Sequence, residues 1–315
     1  MRFAIAARLL AMMRRLVLAL ALLAGLSAPA EAEVKIVLLG TGNPNPTPDR
    51  AGPSLAVIAG GKAYLFDFGT GVVRAAQKAF EAGEETLEPK RLDIAFLTHL
   101  HSDHTLGLAD LVITPWVLER AEPLRVYGPS GTSALVEGTL AAYWDDIRLR
   151  VKGRQPSNET GWRAVAREIA AGPVYEDGNI AVEAFLVCHG DIAPAFGFRV
   201  KAAGKIIVIS GDTASCPQAL EHFKGADALV HEVYSTAGFA TLPPAWQAYH
   251  ASHHTSSAEL ASLAAEVRPK LLILTHHLQW GGLPLEIILD EVKSGYGGAV
   301  VFGRDGDVFT LGNAP

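Results

Sequence analysis

Cysteine is nearly absent: Cys188 and Cys216 are the only two in 315 residues. That excludes a disulfide-stapled scaffold, in which several bridges substitute for a core. Two unpaired buried thiols are the simpler reading, although an exported chain could join them. Dense runs of Lys or Arg are also missing. The chain carries 27 basic and 33 acidic side chains, a formal net charge of −6. On charge alone it is poorly suited to a long structured polyanion such as folded RNA or DNA. There is no internal repeat, low-complexity tract or obvious linker, which argues against solenoids and domain arrays. Beyond the N-terminus no apolar run approaches the roughly 20 residues of a membrane span.

The N-terminus has the pattern of a secretory signal. Arg14 and Arg15 precede an apolar run of 11 residues, Leu16 to Leu26, and Ala28-Pro29-Ala30 and Ala30-Glu31-Ala32 fit an A-x-A cleavage site. Residues 1–32 are therefore expected to be a signal peptide, with an uncleaved anchor as the alternative. Cleavage after Ala32 leaves residues 33–315, enough for one α/β domain or two small ones, periplasmic or secreted and free of the membrane; with no linker in sight, one domain is expected. Removing four Arg and one Glu leaves 23 basic and 32 acidic residues, a net of −9.

What is abundant is strands that end in polar loops. Val34 to Leu39 reads as a buried strand, and Ser54 to Ala59 with Lys62 to Phe68 as a hairpin turned at Gly60-Gly61. Thr70 is expected to cap a helix from Gly71 to about Ala82. Further strands are expected before Thr98, at Leu124 to Tyr127, Ile180 to Val187, Phe196 to Val200, Lys205 to Ile209, Ala226 to Val230 and Leu271 to Leu274. Ala299 to Phe302 and Val308 to Leu311 read as a pair across Arg304-Asp305-Gly306. Val151 to Asp177, polar and broken by Gly and Pro, reads as a surface insertion. Interleaved strands and helices suggest an α/β fold, a four-layer αββα sandwich with its site at strand ends.

The chemistry is concentrated in His99-Leu100-His101-Ser102-Asp103-His104, an HxHxDH cluster directly after an apolar strand. Packing gives no reason to crowd three His and an Asp there, whereas imidazole and carboxylate suit Zn²⁺ and similar ions. The spacing points to two ions. His99 and His101 can face one and Asp103 and His104 the other, with His189 completing the first and His276 the second. His277 competes with His276 for that place. Asp212 is the natural bridge, because a carboxylate can share its oxygens between cations. A hydroxide held between two such ions is the expected nucleophile. His231-Glu232 and His254 form a second layer. Glu232 and His254 are candidates to pass a proton to a leaving oxygen. Asp67 can orient the HxHxDH loop, His250 and His253 read as rim or solvent-exposed residues, and Pro46, Arg50, Trp144, Trp246 and Trp280 as rim residues.

With these residues together, the chain resembles the metallo-β-lactamase superfamily, and within it the ribonuclease Z group. Leu38-Leu39-Gly40-Thr41-Gly42 and Phe66-Asp67-Phe68-Gly69-Thr70-Gly71 look like that group's first motifs, and Thr98 to His104 like the superfamily's hallmark. Ser210-Gly211-Asp212-Thr213, His231-Glu232-Val233-Tyr234, His254-Thr255-Ser256 and Leu274-Thr275-His276 resemble the later ones. The resemblance implies the metallo-β-lactamase fold and two divalent ions, expected to be Zn²⁺. It also implies His99, His101, Asp103, His104, His189, Asp212 and His276 as metal residues, with Asp103, Glu232 and His254 as catalytic residues. The expected reaction is phosphodiester hydrolysis, ribonuclease Z-like or cyclic-nucleotide phosphodiesterase-like. Sulfate-ester hydrolysis of the arylsulfatase type is the alternative, and β-lactam or lactone hydrolysis a weaker one. The chain departs from the group in two ways: the group's long Gly/Pro-rich arm is replaced by 22 residues between His189 and Asp212, and the group's enzyme is intracellular whereas this chain looks exported. The expected partner is therefore a small-molecule ester rather than structured nucleic acid, with short RNA still open, and a homodimer is possible.

Overall fold

A computed structural model describes residues 33–312; the expected signal peptide lies outside the described residues. Fourteen strands form two seven-stranded mixed sheets among the described residues. The first sheet has the order β14 (Val308–Leu311), β1 (Val34–Gly40), β2 (Ser54–Ala59), β3 (Lys62–Phe66), β4 (Ile94–Phe96), β5 (Leu124–Gly128), β6 (Ala164–Glu168). The second runs β13 (Val300–Phe302), β12 (Leu272–Leu278), β11 (Ala228–Tyr234), β10 (Lys205–Ile209), β9 (Phe196–Ala202), β8 (Ile180–Leu186), β7 (Gly172–Glu176). Helices cover the outer faces, and this gives the αββα sandwich expected from the sequence.

Three apolar clusters account for the four layers. Between the sheets, Phe66, Phe96 and Phe198 meet with ring centroids 5.0–5.8 Å apart. Helix α1 (Val72–Glu81) lays Val72, Val73, Ala76 and Ala79 on the outer face of the first sheet. Leu260, Ala261 and Ala264 of the helix Ser257–Val267 cover the second. Central strands are thus buried on both faces, which is why β2 reads as an unbroken apolar run. Burying each large side chain stabilises by about 1.5–3 kcal/mol. Among the described residues no helix is long and apolar enough to cross a membrane.

Four local expectations need correction. The first helix starts from Gly71 in the left-handed region, φ 93°, and Thr70 makes no capping hydrogen bond. The stretch 151–177 is not all insertion: β6 and β7 lie within it as the outermost strands of the two sheets. Their residues are half-buried or exposed, so no apolar run marks them. The last two strands do not pair with each other: β13 joins β12 in the second sheet and β14 joins β1 in the first. The chain crosses between layers at Arg304 to Asp307, and the Asp305 carboxylate ties down the loop after β1 through Thr41 N–H, Thr41 Oγ1 and Ala51 N–H. Finally, Cys188 and Cys216 are joined in a disulfide, with Cα atoms 5.4 Å apart. Twenty-eight residues separate them in sequence, and the β9–β10 hairpin folds back to bring them together.

Candidate metal centre

Five strands of the two sheets deliver the site from their C-terminal ends. β3 leads to Asp67 and β4 to Thr98 and His99, β8 and β10 lead to His189 and Asp212, and β11 carries Glu232 two residues before its end. The HxHxDH loop turns tightly because His101 is extended, φ −61° and ψ 149°, just before the short helix Ser102–Thr105. That turn separates His99 and His101 from Asp103 and His104. Gly69 lets the neighbouring loop close on it: a Cβ there would sit 2.5 Å from the Asp103 carbonyl oxygen.

The last His arrives by a bulge. β11 pairs with β12 at Glu232 opposite Thr275 and then at Val233 opposite His277, so His276 is the extra residue. Its φ of 47° turns the ring into the site, with Nε2 3.1 Å from Asp103 Oδ2 and 3.3 Å from Asp212 Oδ2. His277 instead stacks on Phe302 at 3.8 Å.

The side chains form two groups that meet at one carboxylate. His99, His101, His189 and Asp212 offer ligand atoms within 4.8 Å of one another, and so do Asp103, His104 and His276. Asp212 Oδ2 lies 3.9 Å from His99 Nε2 and 3.3 Å from His104 Nε2. His254 forms a third group with Asp212 and His276, so it stands nearer the ligand atoms than a purely outer residue would.

The hydrogen bonds test whether this arrangement suits cations. His189 Nδ1–H donates to the His253 carbonyl at 2.7 Å, so its Nε2 carries a bare lone pair. That lone pair points at His101 Nδ1 at 3.0 Å, and His99 Nε2 lies 3.1 Å from the same atom. Burial lowers His99 and His101 and pushes His189 down to about 3, so these rings are neutral. Three neutral imidazole nitrogens converging in this way suit a positive ion. In the second group His104 Nδ1–H donates to Asp67 Oδ2 at 2.8 Å, which turns Nε2 toward Asp212 without a hydrogen-bond partner. An imidazole lone pair facing a carboxylate oxygen repels it unless a cation or proton lies between. A cavity of about 30 Å³ sits beside these atoms, lined by Asp67, His104, Asp212, Glu232 and His276. The donor set therefore fits divalent cations.

Outer residues hold the ligands in place. Asp67, at φ 58°, accepts from Thr98 N–H through Oδ1 and from Thr98 Oγ1–H, besides His104. Glu232 Oε1 accepts from Thr255 N–H and Thr213 N–H, and its Oε2 lies 3.4 Å from His254 Nδ1. Burial pushes the Glu232 carboxyl up, and Asp212 adds to the effect. Burial pushes His254 down to about 3. Glu232 Oε2 and His254 Nδ1, neither with a hydrogen-bond partner elsewhere, are placed to share a proton. Ala214 N–H donates to the Cys188 carbonyl beside the disulfide, which binds the loop of His189 to that of Asp212.

Some expected members fall elsewhere. His231 turns its ring away toward Phe223 and donates Nδ1–H to the Glu232 carbonyl, as strand alternation requires of Glu232's neighbour. His250 and His253 are buried, not solvent-exposed. Trp144 packs on Trp162. Pro46 and Arg50 line a 300 Å³ cavity that reaches Ser102 and Asp103. Thr98, Thr213, Thr255 and the His253 carbonyl were missed by the sequence reading. Their position next to each ligand is the only signal that could have found them.

Comparison with known proteins places this geometry. The family described as "Beta-lactamase superfamily domain" matches residues 62–277. The chain is 36% identical to Ribonuclease Z of Mycobacterium marinum over 270 residues, which is 82% of this chain and 91% of that one. It is 38% identical over 262 residues to Ribonuclease Z of Mycobacterium avium, covering 79% and 90%. It belongs to the ribonuclease Z family of the β-lactamase superfamily. Solved structures similar to it include the short form of human tRNase Z, with TM-score 0.64, 25% identity and coverage of 87% and 98%. The metallo-β-lactamase fold protein YhfI from Bacillus subtilis superposes with TM-score 0.68 at 17% identity, covering 89% and 100%. Divalent-metal binding goes with this fold, and the chain is a metal-dependent hydrolase, as the sequence reading expected. The expected partner, a small-molecule ester with no structured nucleic acid, is overturned by these relatives: the chain matches proteins named Ribonuclease Z and tRNase Z over most of their length. The expectation rested on a whole-chain count of Lys and Arg and on the short link between His189 and Asp212, and neither records how charge is arranged in three dimensions around the site.

Proposed function

We propose that this chain is a dinuclear metallo-ribonuclease that hydrolyses a phosphodiester bond of RNA outside the cytoplasm. Asp212 carries the reading: its Oδ2 faces ligand nitrogens of both groups, within 3.9 Å of His99 and 3.3 Å of His104 and His276. His99, His101 and His189 would hold one cation and Asp103, His104 and His276 the other, with Asp212 shared. The His-rich donor set favours Zn²⁺. Two such cations, when bound, would supply an activated water and offset the charge that develops on the phosphoryl oxygens. The Glu232–His254 pair then delivers its proton to the leaving oxygen, with Thr213 and Thr255 fixing the carboxyl. The identity to ribonucleases named Ribonuclease Z supports RNA as the substrate. The signal-like N-terminus and the Cys188–Cys216 disulfide support export.

The test uses residues 33–315, assayed for metal content and for cleavage of a precursor transfer RNA and a single-stranded RNA, with Asp212→Ala alongside. Two ions per chain and RNA cleavage lost in the variant are expected. Full cleavage by Asp212→Ala, or turnover of p-nitrophenyl sulfate without any RNA cleavage, would sink the proposal. Export is read separately, from whether a C-terminally tagged full chain fractionates outside the cytoplasm with residues 1–32 removed.

A further inference from the structure

From Val233 to Ala258 the chain contains no Asp, Glu, Lys or Arg, although 33 acidic residues are spread over the rest. This uncharged stretch runs directly into His254. Its centre is the helix Pro244–His253. Trp246 is 55% exposed and Tyr249 38% exposed, both large for aromatic rings. Neither stands alone. Trp246 stacks on His250 at 5.7 Å with planes 24° apart, and His250 lies 5.7 Å from His254. Tyr249 stacks on His253 at 4.1 Å, and the His253 ring is 5.1 Å from His189. Two ladders of rings therefore lead from open surface into the site, one to His254 and one to His189.

One face of each ring rests on a His, which leaves the remaining surface of both open to solvent beside the site. Continuity with the site and the lack of charged side chains along this stretch indicate what covers them; the carboxylates that bear on Tyr249 are Asp191, from the loop after His189, and the site's own Asp103 and Asp212. A polyanion is repelled least where an acidic chain has no charge. The part of a polyanion that prefers aromatic faces is a nucleobase, which stacks whatever its sequence. We propose that Trp246, with Tyr249 set edge-on beside it at 5.7 Å, is a stacking platform for a nucleobase of the RNA strand flanking the scissile phosphate. This rests on the ribonuclease reading above and adds where the strand lies: along the helix Pro244–His253, with its backbone toward His254.

The test measures kcat/KM on a short single-stranded RNA and on a series in which one abasic nucleotide is moved along it. Wild type, Trp246→Ala and Trp246→Phe are compared. Trp246→Ala is expected to lose roughly 10- to 100-fold on intact RNA, with Trp246→Phe recovering most of it. At one abasic position the loss should vanish, because the base that used the ring is gone. Losses that multiply at every abasic position, or a Trp246→Ala value within twofold of wild type, would overturn the platform. If wild type cleaves no RNA at all, the ribonuclease reading fails by itself. The platform is then judged by tryptophan fluorescence of Asp212→Asn protein titrated with oligoadenylate. Quenching that disappears in the Asp212→Asn, Trp246→Phe double variant supports stacking, and its absence in Asp212→Asn refutes it.

Discussion

Asp67→Asn is an isosteric change whose effect follows from proton placement alone. The Thr98 N–H at 2.8 Å can only donate, so the Asn must keep its carbonyl oxygen there. Its NH₂ group then faces His104 Nδ1, at the position where Asp67 Oδ2 now accepts at 2.8 Å. Two donors cannot share that bond, so His104 is driven to the opposite tautomer. Its proton moves to Nε2, the atom turned toward Asp212 at 3.3 Å. Ligation at Nε2 then requires reversing the tautomer against the amide. Loss of such a carboxylate–imidazole partner typically weakens metal affinity 10- to 100-fold, or about 1.4–2.7 kcal/mol. Zinc affinity would be measured by chelator competition on metal-depleted protein, with circular dichroism to check the fold. One ion should bind as in wild type and the other more weakly by that factor. Equal affinity for both ions in Asp67→Asn, within twofold, would refute the tautomer argument. Asp67→Ala should be worse, because it also strands the buried Thr98 N–H at about 1–3 kcal/mol.

Other perturbations test the scaffold. Arg120 is fully buried and donates to the carbonyls of Leu92, Leu111, Val112 and Gly161 at 2.8–2.9 Å. Pro115 has no N–H for the Leu111 carbonyl, so the guanidinium replaces a missing helix bond. Arg120→Met should cost about 3–5 kcal/mol in urea unfolding, the bonds lost exceeding the relief of burying a charge; under 1 kcal/mol would show the carbonyls find other donors. Reducing the Cys188–Cys216 bridge, which spans 28 residues, should cost about 3–4 kcal/mol by the loop-entropy argument and shift the urea midpoint without abolishing the fold. An unchanged midpoint in reductant would count against a bridge in solution. Burial would raise the Asp177 carboxyl, yet hydrogen bonds from Tyr175, the Asn179 and Ile180 N–H groups and Tyr64 hold it down to about 2. A carboxylate lowered on folding adds stability that is complete above its unfolded pKa, about 3.9, and is lost as pH falls toward 2. Asp177 is partly exposed, so the span is on the order of 1–2 kcal/mol. Asp177→Asn should remove that part of the acid slope in unfolding titrations between pH 5 and 2, and an unaltered slope would discount the cluster.

Much of the site was readable before any coordinates because its residues are local. HxHxDH announces itself within six positions, and His189, Asp212 and Glu232 each follow an apolar strand whose end the sequence marks. Strands buried on both faces and helices with one apolar face leave periodic traces, so the layers were readable too. Non-local choices left no such trace. His276 and His277 are adjacent and chemically identical; only the bulge against β11, with φ 47° at His276, decides which ring enters. Cys188 and Cys216 meet because a hairpin folds between them, and β13 and β14 part because their neighbours belong to different sheets. The edge strands β6 and β7 bury too little to write an apolar pattern. What the sequence determined is which groups could hold metal and which segments prefer to be strands, since both are properties of short stretches. Tertiary structure decided register, pairing and side-chain direction, because those depend on backbone partners tens to hundreds of residues away.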